Sequence, residues 1–272
     1  MTQVHISSNS LAYTDQGAGP VVVVLHGLFG SSSNLGHTAK DLATDHRVIC
    51  VDLPGHGLSG RLEDYGHDSM ASAVLETLTS LHLDTVDLIG HSLGGKISMQ
   101  LASQLQRSEP STVKVNKLVI VDIAPRDYGA HHDDVFQGLN AVPLNDETDR
   151  RKADSVLQQH IGDAGTRAFL LKSFRRNQQG TYQWQFDVAE LQAQYSKLSL
   201  SPSLPHRVLC PTLFIKGANS DYLLPIDEAR IKQAFAKPEF KIIRGTGHWP
   251  HAEKPAAFNS LVRRFLTREN NQ

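Results

Sequence analysis

The chain has 272 residues, enough to bury a large core without help from disulfides or a structural metal. Its formal net charge of -1 at pH 7 argues against a basic surface for nucleic acid, and its two cysteines argue against a disulfide scaffold. The first residues show no signal-peptide pattern, and no apolar run is long enough for a membrane span. We therefore expect a cytoplasmic protein with no nucleic-acid or membrane partner.

Short apolar runs alternate with helix-like segments along most of the chain. The predicted strands are 4–6, 11–13, 21–25, 48–51, 86–89, 118–121, 211–215 and 240–243, the first two forming a hairpin. The predicted helices between and after them are 34–43, 69–81, 96–102 and 256–266. This alternation predicts an α/β fold with a mostly parallel, eight-stranded sheet and helices on both faces.

The alternation stops between residues 125 and 206, where helical patterns at 153–161, 164–174 and 188–195 follow one another without a central strand. The Ser-Pro-Ser-Leu-Pro run at 201–205 is typical of a linker. We therefore predict a core formed by 1–124 and 207–272, with a helical lid inserted at 125–206.

One motif in the core predicts the chemistry. Gly90-His91-Ser92-Leu93-Gly94 matches G-x-S-x-G, and it lies between a predicted strand and a predicted helix. In that setting the pattern is the nucleophile elbow, a sharp turn that lifts a serine hydroxyl above the sheet. A serine hydroxyl is a poor nucleophile at neutral pH, so Ser92 needs a general base and a carboxylate to orient that base.

The base and the acid should follow the serine in the order acid, then histidine. His248 comes after the last predicted strand in a turn of small residues, which makes it the candidate base. Asp122 ends the strand after the nucleophile helix and is the favoured acid. Asp221 is the alternative acid, although it lies one residue beyond the usual acid position. Ser220 occupies that position, and Ser220 and Asp221 both remain secondary candidates near His248.

Two backbone amides are predicted to form the oxyanion hole, those of Leu93, next to the nucleophile, and of Leu28, in the loop after the third strand. A second set of residues is predicted to line the substrate pocket: Phe29, His91, Phe136, Leu170 and Phe174. Each of these could equally be ordinary core packing. We expect no metal ion and no cofactor.

Five segments together resemble the α/β-hydrolase superfamily: 26–30, 52–59, 90–96, 122–125 and 247–255. The chain is most similar to its YbfF-type esterases, which implies hydrolysis of short-chain esters and acyl thioesters, including acyl-CoA. That resemblance implies an acid after the sixth strand, at Asp122, and a serine at the usual acid position, at Ser220. The branch can lack the carboxylate that Asp221 supplies, so a role for Asp221 stays open.

The expected function is hydrolysis of small carboxylic esters or acyl thioesters by a monomer or small homo-oligomer. Acyl transfer, carbon–carbon bond hydrolysis or a lyase reaction could use the same residues. A non-catalytic ligand receptor that kept the pocket is a further alternative, because a fold alone does not determine a function.

Overall fold

The computed structural model describes residues 3–7, 10–106, 113–129 and 131–269. Ten strands are present in these residues: β1 (Gln3–Ser7), β2 (Ser10–Gly17), β3 (Val21–Leu25), β4 (Arg47–Val51), β5 (Thr85–His91), β6 (Lys114–Val121), β7 (Phe174–Arg176), β8 (Tyr182–Trp184), β9 (Thr212–Gly217) and β10 (Pro238–Ile243). Eight of them form one sheet in the order β1-β2-β4-β3-β5-β6-β9-β10. β2 pairs antiparallel with β1 and β4, and the other pairs are parallel. The predicted α/β fold is confirmed, whereas the turn of the first hairpin, at 8–9, lies outside the described residues.

Helices cover both faces of this sheet. They are α1 (Gly36–Leu42), α2 (His67–Ser80), α3 (Leu93–Gln104), α4 (Asp133–Ala141), α5 (Arg150–Leu157), α6 (Ala164–Lys172), α7 (Val188–Ala193), α8 (Tyr195–Ser199), α9 (Glu228–Ala234), α10 (Pro250–Glu253) and α11 (Pro255–Leu266). Successive side chains of β3 point to opposite faces of the sheet. Val23 and Leu25 belong to the apolar cluster that contains α2 and α3 residues. Val22 and Val24 join a second cluster, which contains α1 and α11 residues.

A smaller layer connects β6 to β9. It contains α4 to α8 and the antiparallel pair β7–β8. The helix predicted over 164–174 is too long, because α6 ends at Lys172 and Phe174 begins β7. The sequence patterns also missed α4 and the β7–β8 pair. We keep the boundaries of the lid, 125–206, as a proposal.

The carboxyl ends of the parallel strands meet at one edge of the sheet, where ligands bind in folds of this kind. The loops after β3, β5, β6, β9 and β10 leave from this edge, and they carry all the predicted catalytic groups. No helix in the described ranges is both long and apolar enough to cross a membrane.

Candidate active site

Ser92 occupies a strained turn between β5 and α3. Its backbone has φ 51° and ψ -117°, a combination that costs a residue with a side chain about 1–3 kcal/mol. Its amide donates to the Val121 carbonyl at 3.0 Å, which anchors the turn to β6. A Cβ at Gly90 would lie 2.3 Å from the Gly94 carbonyl oxygen, and one at Gly94 would lie 2.4 Å from that of Leu25. Glycine at both positions therefore allows the sharp turn that the elbow requires.

His248 lies beside this turn and is held through both its ring and its backbone. Its Nδ1 is 2.8 Å from Asp122 Oδ2, and its ring stacks on Tyr222 with the centroids 3.9 Å apart. The carbonyl of His248 accepts a hydrogen bond from His91 Nε2 at 2.8 Å. Burial, together with neighbouring histidines, keeps the pKa of His91 well below its usual value, so the ring is a neutral donor at pH 7.

His248 Nε2 and the Ser92 hydroxyl border the same cavity. Neither atom has a hydrogen-bond partner among the residues that the structure describes. Hydrogen bonds between a nucleophile and its base are often long in the absence of substrate, so the lack of a direct contact does not argue against proton transfer between them. The paired Nδ1 leaves Nε2 as the nitrogen available to the serine.

Asp122 is fully buried and lies where β6 ends. Its Oδ1 accepts from the Gly217 amide at 2.9 Å, and its Oδ2 accepts from the Ser220 hydroxyl and from His248. Donors thus converge on both oxygens, as suits a carboxylate that acts only as an acceptor. The same contacts join the end of β9 to the histidine loop.

Asp221 has a different environment. Its side chain is exposed, and its carbonyl accepts from the Arg126 guanidinium at 2.9 Å. Ser220 is instead 6% exposed and contacts Asp122. The shift of one residue therefore turns Ser220 inwards and Asp221 outwards, and the structure brings Asp122, not Asp221, to His248.

The two predicted oxyanion amides belong to segments that flank Ser92. Leu93 is the first residue of α3, so its amide has no partner within the helix. The loop containing Leu28 approaches closely, since a Cβ at Gly27 would lie 3.1 Å from Ser92 Cβ. Within the described ranges, no protein acceptor is hydrogen-bonded to the amide of Leu28 or of Leu93.

A cavity of about 420 Å³ opens beside Ser92. Three of the predicted pocket residues, Phe29, His91 and Leu170, line it. Most of its wall is apolar, and several of the residues come from the lid or from the loops around it: Leu28, Ile123, Val135, Phe169, Leu170 and Trp249. Such a wall suits an acyl chain.

Phe136 and Phe174 are not among the residues that line this cavity, so the structure does not bring these two predicted pocket residues to it. The Phe136 ring packs edge-on behind Phe29, with the centroids 5.3 Å apart. Phe174 packs within the β7–β8 pair, where its ring lies 5.1 Å from Tyr182 and 4.6 Å from Trp184. An apolar pattern marks a buried side chain, but it does not distinguish the wall of a cavity from the interior of the lid.

Lys96 lines the cavity and was not predicted as a site residue. Its ammonium group donates to the carbonyls of Leu198, Ser199 and Leu200, so it links α3 to the end of α8. Burial lowers the pKa of Lys96 to about 7. The sequence did contain a signal for this residue, a lysine directly after Gly94 and Gly95. A charge near the start of a buried helix needs polar partners, which marks it as a residue with a specific contact.

No group of three or more histidine, cysteine or acidic side chains in the described part of the chain is arranged to hold a metal ion. The groups brought together here, the Ser92 hydroxyl, the His248 imidazole and backbone amides, are the types that nucleophilic catalysis with oxyanion stabilisation uses.

The chain is similar to known proteins in sequence and in structure. A model of the Alpha/beta hydrolase family matches residues 22–261. The chain is 38% identical over 249 residues to Esterase YbfF of Escherichia coli, covering 90% of this chain and 92% of the relative. It is 33% identical over 255 residues to sn-1-specific diacylglycerol lipase ABHD11 of Mus musculus, covering 91% and 81%.

A solved structure, a marine microorganism esterase, superposes with a TM-score of 0.87 at 30% identity, covering 95% of this chain and 100% of that one. The matched family region includes Ser92, Asp122 and His248. The chain belongs to the alpha/beta hydrolase family.

Proposed function

We propose that this chain is a serine esterase that hydrolyses small carboxylic esters through an acyl-enzyme on Ser92. The observation that carries the proposal is the 2.8 Å contact between His248 Nδ1 and Asp122 Oδ2, beside the same cavity as the Ser92 hydroxyl. The names of the relatives, an esterase and a lipase, support an ester as the substrate.

In the proposed reaction, Ser92 Oγ attacks the ester carbonyl while His248 Nε2 takes its proton. Asp122 orients the imidazole and stabilises its protonated form. The amides of Leu28 and Leu93 donate to the oxyanion of the tetrahedral intermediate. His248 then protonates the leaving alcohol, and a water activated by the same nitrogen hydrolyses the acyl-enzyme.

The cavity supports a substrate with a short to medium acyl chain. Its volume of about 420 Å³ lies towards the lower end of the range usual for small-molecule sites, and its wall is mainly apolar. Acyl thioesters, including acyl-CoA, are part of the proposal, because the same attack and the same oxyanion apply to a thioester carbonyl. Acyl transfer is less favoured, since no observed feature reserves the acyl-enzyme for an acceptor other than water.

The direct test is Ser92→Ala, assayed by release of p-nitrophenol from p-nitrophenyl butyrate. We expect kcat to fall by about 10⁴-fold or more, because the variant lacks the hydroxyl on which the acyl-enzyme forms. Ser103→Ala is the matched control, since this buried hydroxyl hydrogen-bonds to the backbone of His206 and the substitution should leave activity unchanged. A folded Ser92→Ala variant with full activity would contradict the proposal.

Esters and acyl-CoA thioesters of graded chain length, compared by kcat/KM, would define the preferred substrate. We expect values to fall for chains that exceed the cavity. A cytoplasmic location and a monomeric or small homo-oligomeric state remain predictions, the second open to light scattering.

A further inference from the structure

The oxyanion loop contains a residue in an unfavourable backbone conformation. Phe29 follows the predicted oxyanion donor Leu28 and has φ 63°. The left-handed region is uncommon and energetically unfavourable for a bulky residue. This conformation sets the direction of the peptide groups between Leu28 and Phe29 and between Phe29 and Gly30. The Leu28 N–H belongs to the preceding peptide group, so contacts that hold Phe29 restrain the Leu28 amide through the Leu28 Cα.

Two buried side chains fix the Phe29 backbone, one on each side. The Phe29 amide donates to His56 Nε2 at 3.1 Å, and its carbonyl accepts from the Ser173 hydroxyl at 2.9 Å. Both side chains are 1% exposed. His56 lies in the loop after β4, whereas Ser173 lies in the lid, between α6 and β7.

The His56 ring is suited to act as an acceptor. Its Nδ1–H donates to the Pro54 carbonyl at 2.9 Å, which leaves the lone pair of Nε2 for the Phe29 amide. Burial, together with the neighbouring His26, lowers the pKa of His56 to about 3. The ring is therefore neutral, and the acceptor is present, throughout the pH range of ester hydrolysis.

The lid also contacts the loop that carries His56. The Gly57 amide donates to the Gln185 carbonyl at 2.6 Å, and the Asp187 amide donates to the Gly55 carbonyl at 2.9 Å. Between them, Phe186 packs against the Phe29 ring, with the centroids 5.2 Å apart. The lid segment 185–187 thus contacts the loop that carries His56 and, through Phe186, the Phe29 ring, while Ser173 contacts the Phe29 carbonyl.

We propose that His56 and Ser173 are positioning residues that hold the Phe29 backbone and so direct the Leu28 amide towards the developing oxyanion. The lid then takes part in the assembly of the oxyanion hole as well as covering the substrate. This inference rests on the proposed serine esterase function, because it assigns a purpose to the donor at Leu28.

The test compares Ser173→Ala, His56→Leu and His56→Gln with the wild-type protein. A misdirected oxyanion donor weakens the transition state more than the bound substrate, so kcat should fall while KM changes by less than about 2-fold. We expect a loss of about 10-fold in Ser173→Ala and up to about 10²-fold in His56→Leu. Glutamine retains an acceptor oxygen, so His56→Gln should keep more activity than His56→Leu.

Binding of a short-chain alkyl trifluoromethyl ketone, which forms an oxyanion adduct with a nucleophilic serine, provides a second readout. Its affinity should fall in parallel with kcat in Ser173→Ala, whereas Ser103→Ala, which removes a similar buried hydroxyl away from the site, should leave both unchanged. A folded Ser173→Ala variant with wild-type kcat and ketone affinity would overturn the inference, even if His56→Leu fails to fold. Failure of the wild-type protein to bind the ketone would instead contradict the proposed function.

Discussion

Replacement of Asp122 by asparagine distinguishes the two candidate acids. Three donors converge on the Asp122 carboxylate: the Gly217 amide on Oδ1, and the Ser220 hydroxyl and His248 Nδ1 on Oδ2. Asparagine offers one acceptor oxygen and one NH₂ group, so it cannot satisfy both sides.

If the amide oxygen of the new asparagine faces His248, its NH₂ group opposes the buried Gly217 amide, at a cost of about 1–3 kcal/mol. In the other orientation the oxygen accepts from Gly217, the Ser220 hydroxyl can rotate to accept from the NH₂, and the NH₂ donates to His248 Nδ1. We expect this second orientation. It selects the tautomer with the proton on Nε2, which cannot take the proton of Ser92.

Trapping of the wrong tautomer in a serine protease triad costs about 10⁴-fold in kcat, and we expect a loss of that order here. This corresponds to about 5 kcal/mol of transition-state stabilisation. The assay is p-nitrophenyl butyrate hydrolysis, with thermal unfolding as the check that Asp122→Asn is folded. Asp221→Asn is the matched control and should lose less than about 2-fold, because that side chain is exposed. Greater damage from Asp221→Asn would refute the assignment of Asp122.

Two other predictions concern the packing around the site. Gly27→Ala should lower kcat/KM by at least about 10-fold, because its Cβ would lie 2.8 Å from His91 Nδ1 and 3.1 Å from Ser92 Cβ. Gly36→Ala is the control and should leave activity unchanged, because its Cβ would meet no atom within 4 Å. Equal activities of the two variants would contradict this geometry. The free energy of unfolding should fall as the pH is lowered from about 6.5 to about 4, because burial lowers the pKa of six histidines and the unfolded chain then binds more protons. They are His26, His56, His67, His91, His132 and His251. Urea unfolding at pH 7 and pH 5 should differ by about 2 kcal/mol for each such ring, and equal stabilities would show that these rings are not buried in the neutral form.

Much of the core could be predicted because local patterns determine it. Short apolar runs such as 21–25 and 118–121 are typical of strands buried inside a sheet. The order of the motifs along the chain then places the elbow, the predicted acid and the predicted base at one edge of that sheet. The glycines around Ser92 were equally informative, since no other residue fits that turn.

Other features depend on contacts between distant residues and were not predictable from local patterns. Whether Asp122 or Asp221 meets His248 depends on where β9 ends, and a single residue reverses the direction of the side chain. The His56 contact with Phe29 joins two loops, and no periodicity in the sequence marks it. In the lid, Phe136 was predicted to line the pocket, but the sequence patterns missed α4 and so could not tell which side of that helix faces the cavity.

The central claim is that Ser92 is the nucleophile, activated by His248 and Asp122. The most direct measurement is peptide mapping by mass spectrometry after reaction with an alkyl fluorophosphonate, which forms a stable adduct with an activated serine. The account predicts one adduct on the peptide containing Ser92, none in Ser92→Ala, and much slower labelling in Asp122→Asn. Labelling of a different residue, or an unchanged rate in Asp122→Asn, would contradict it.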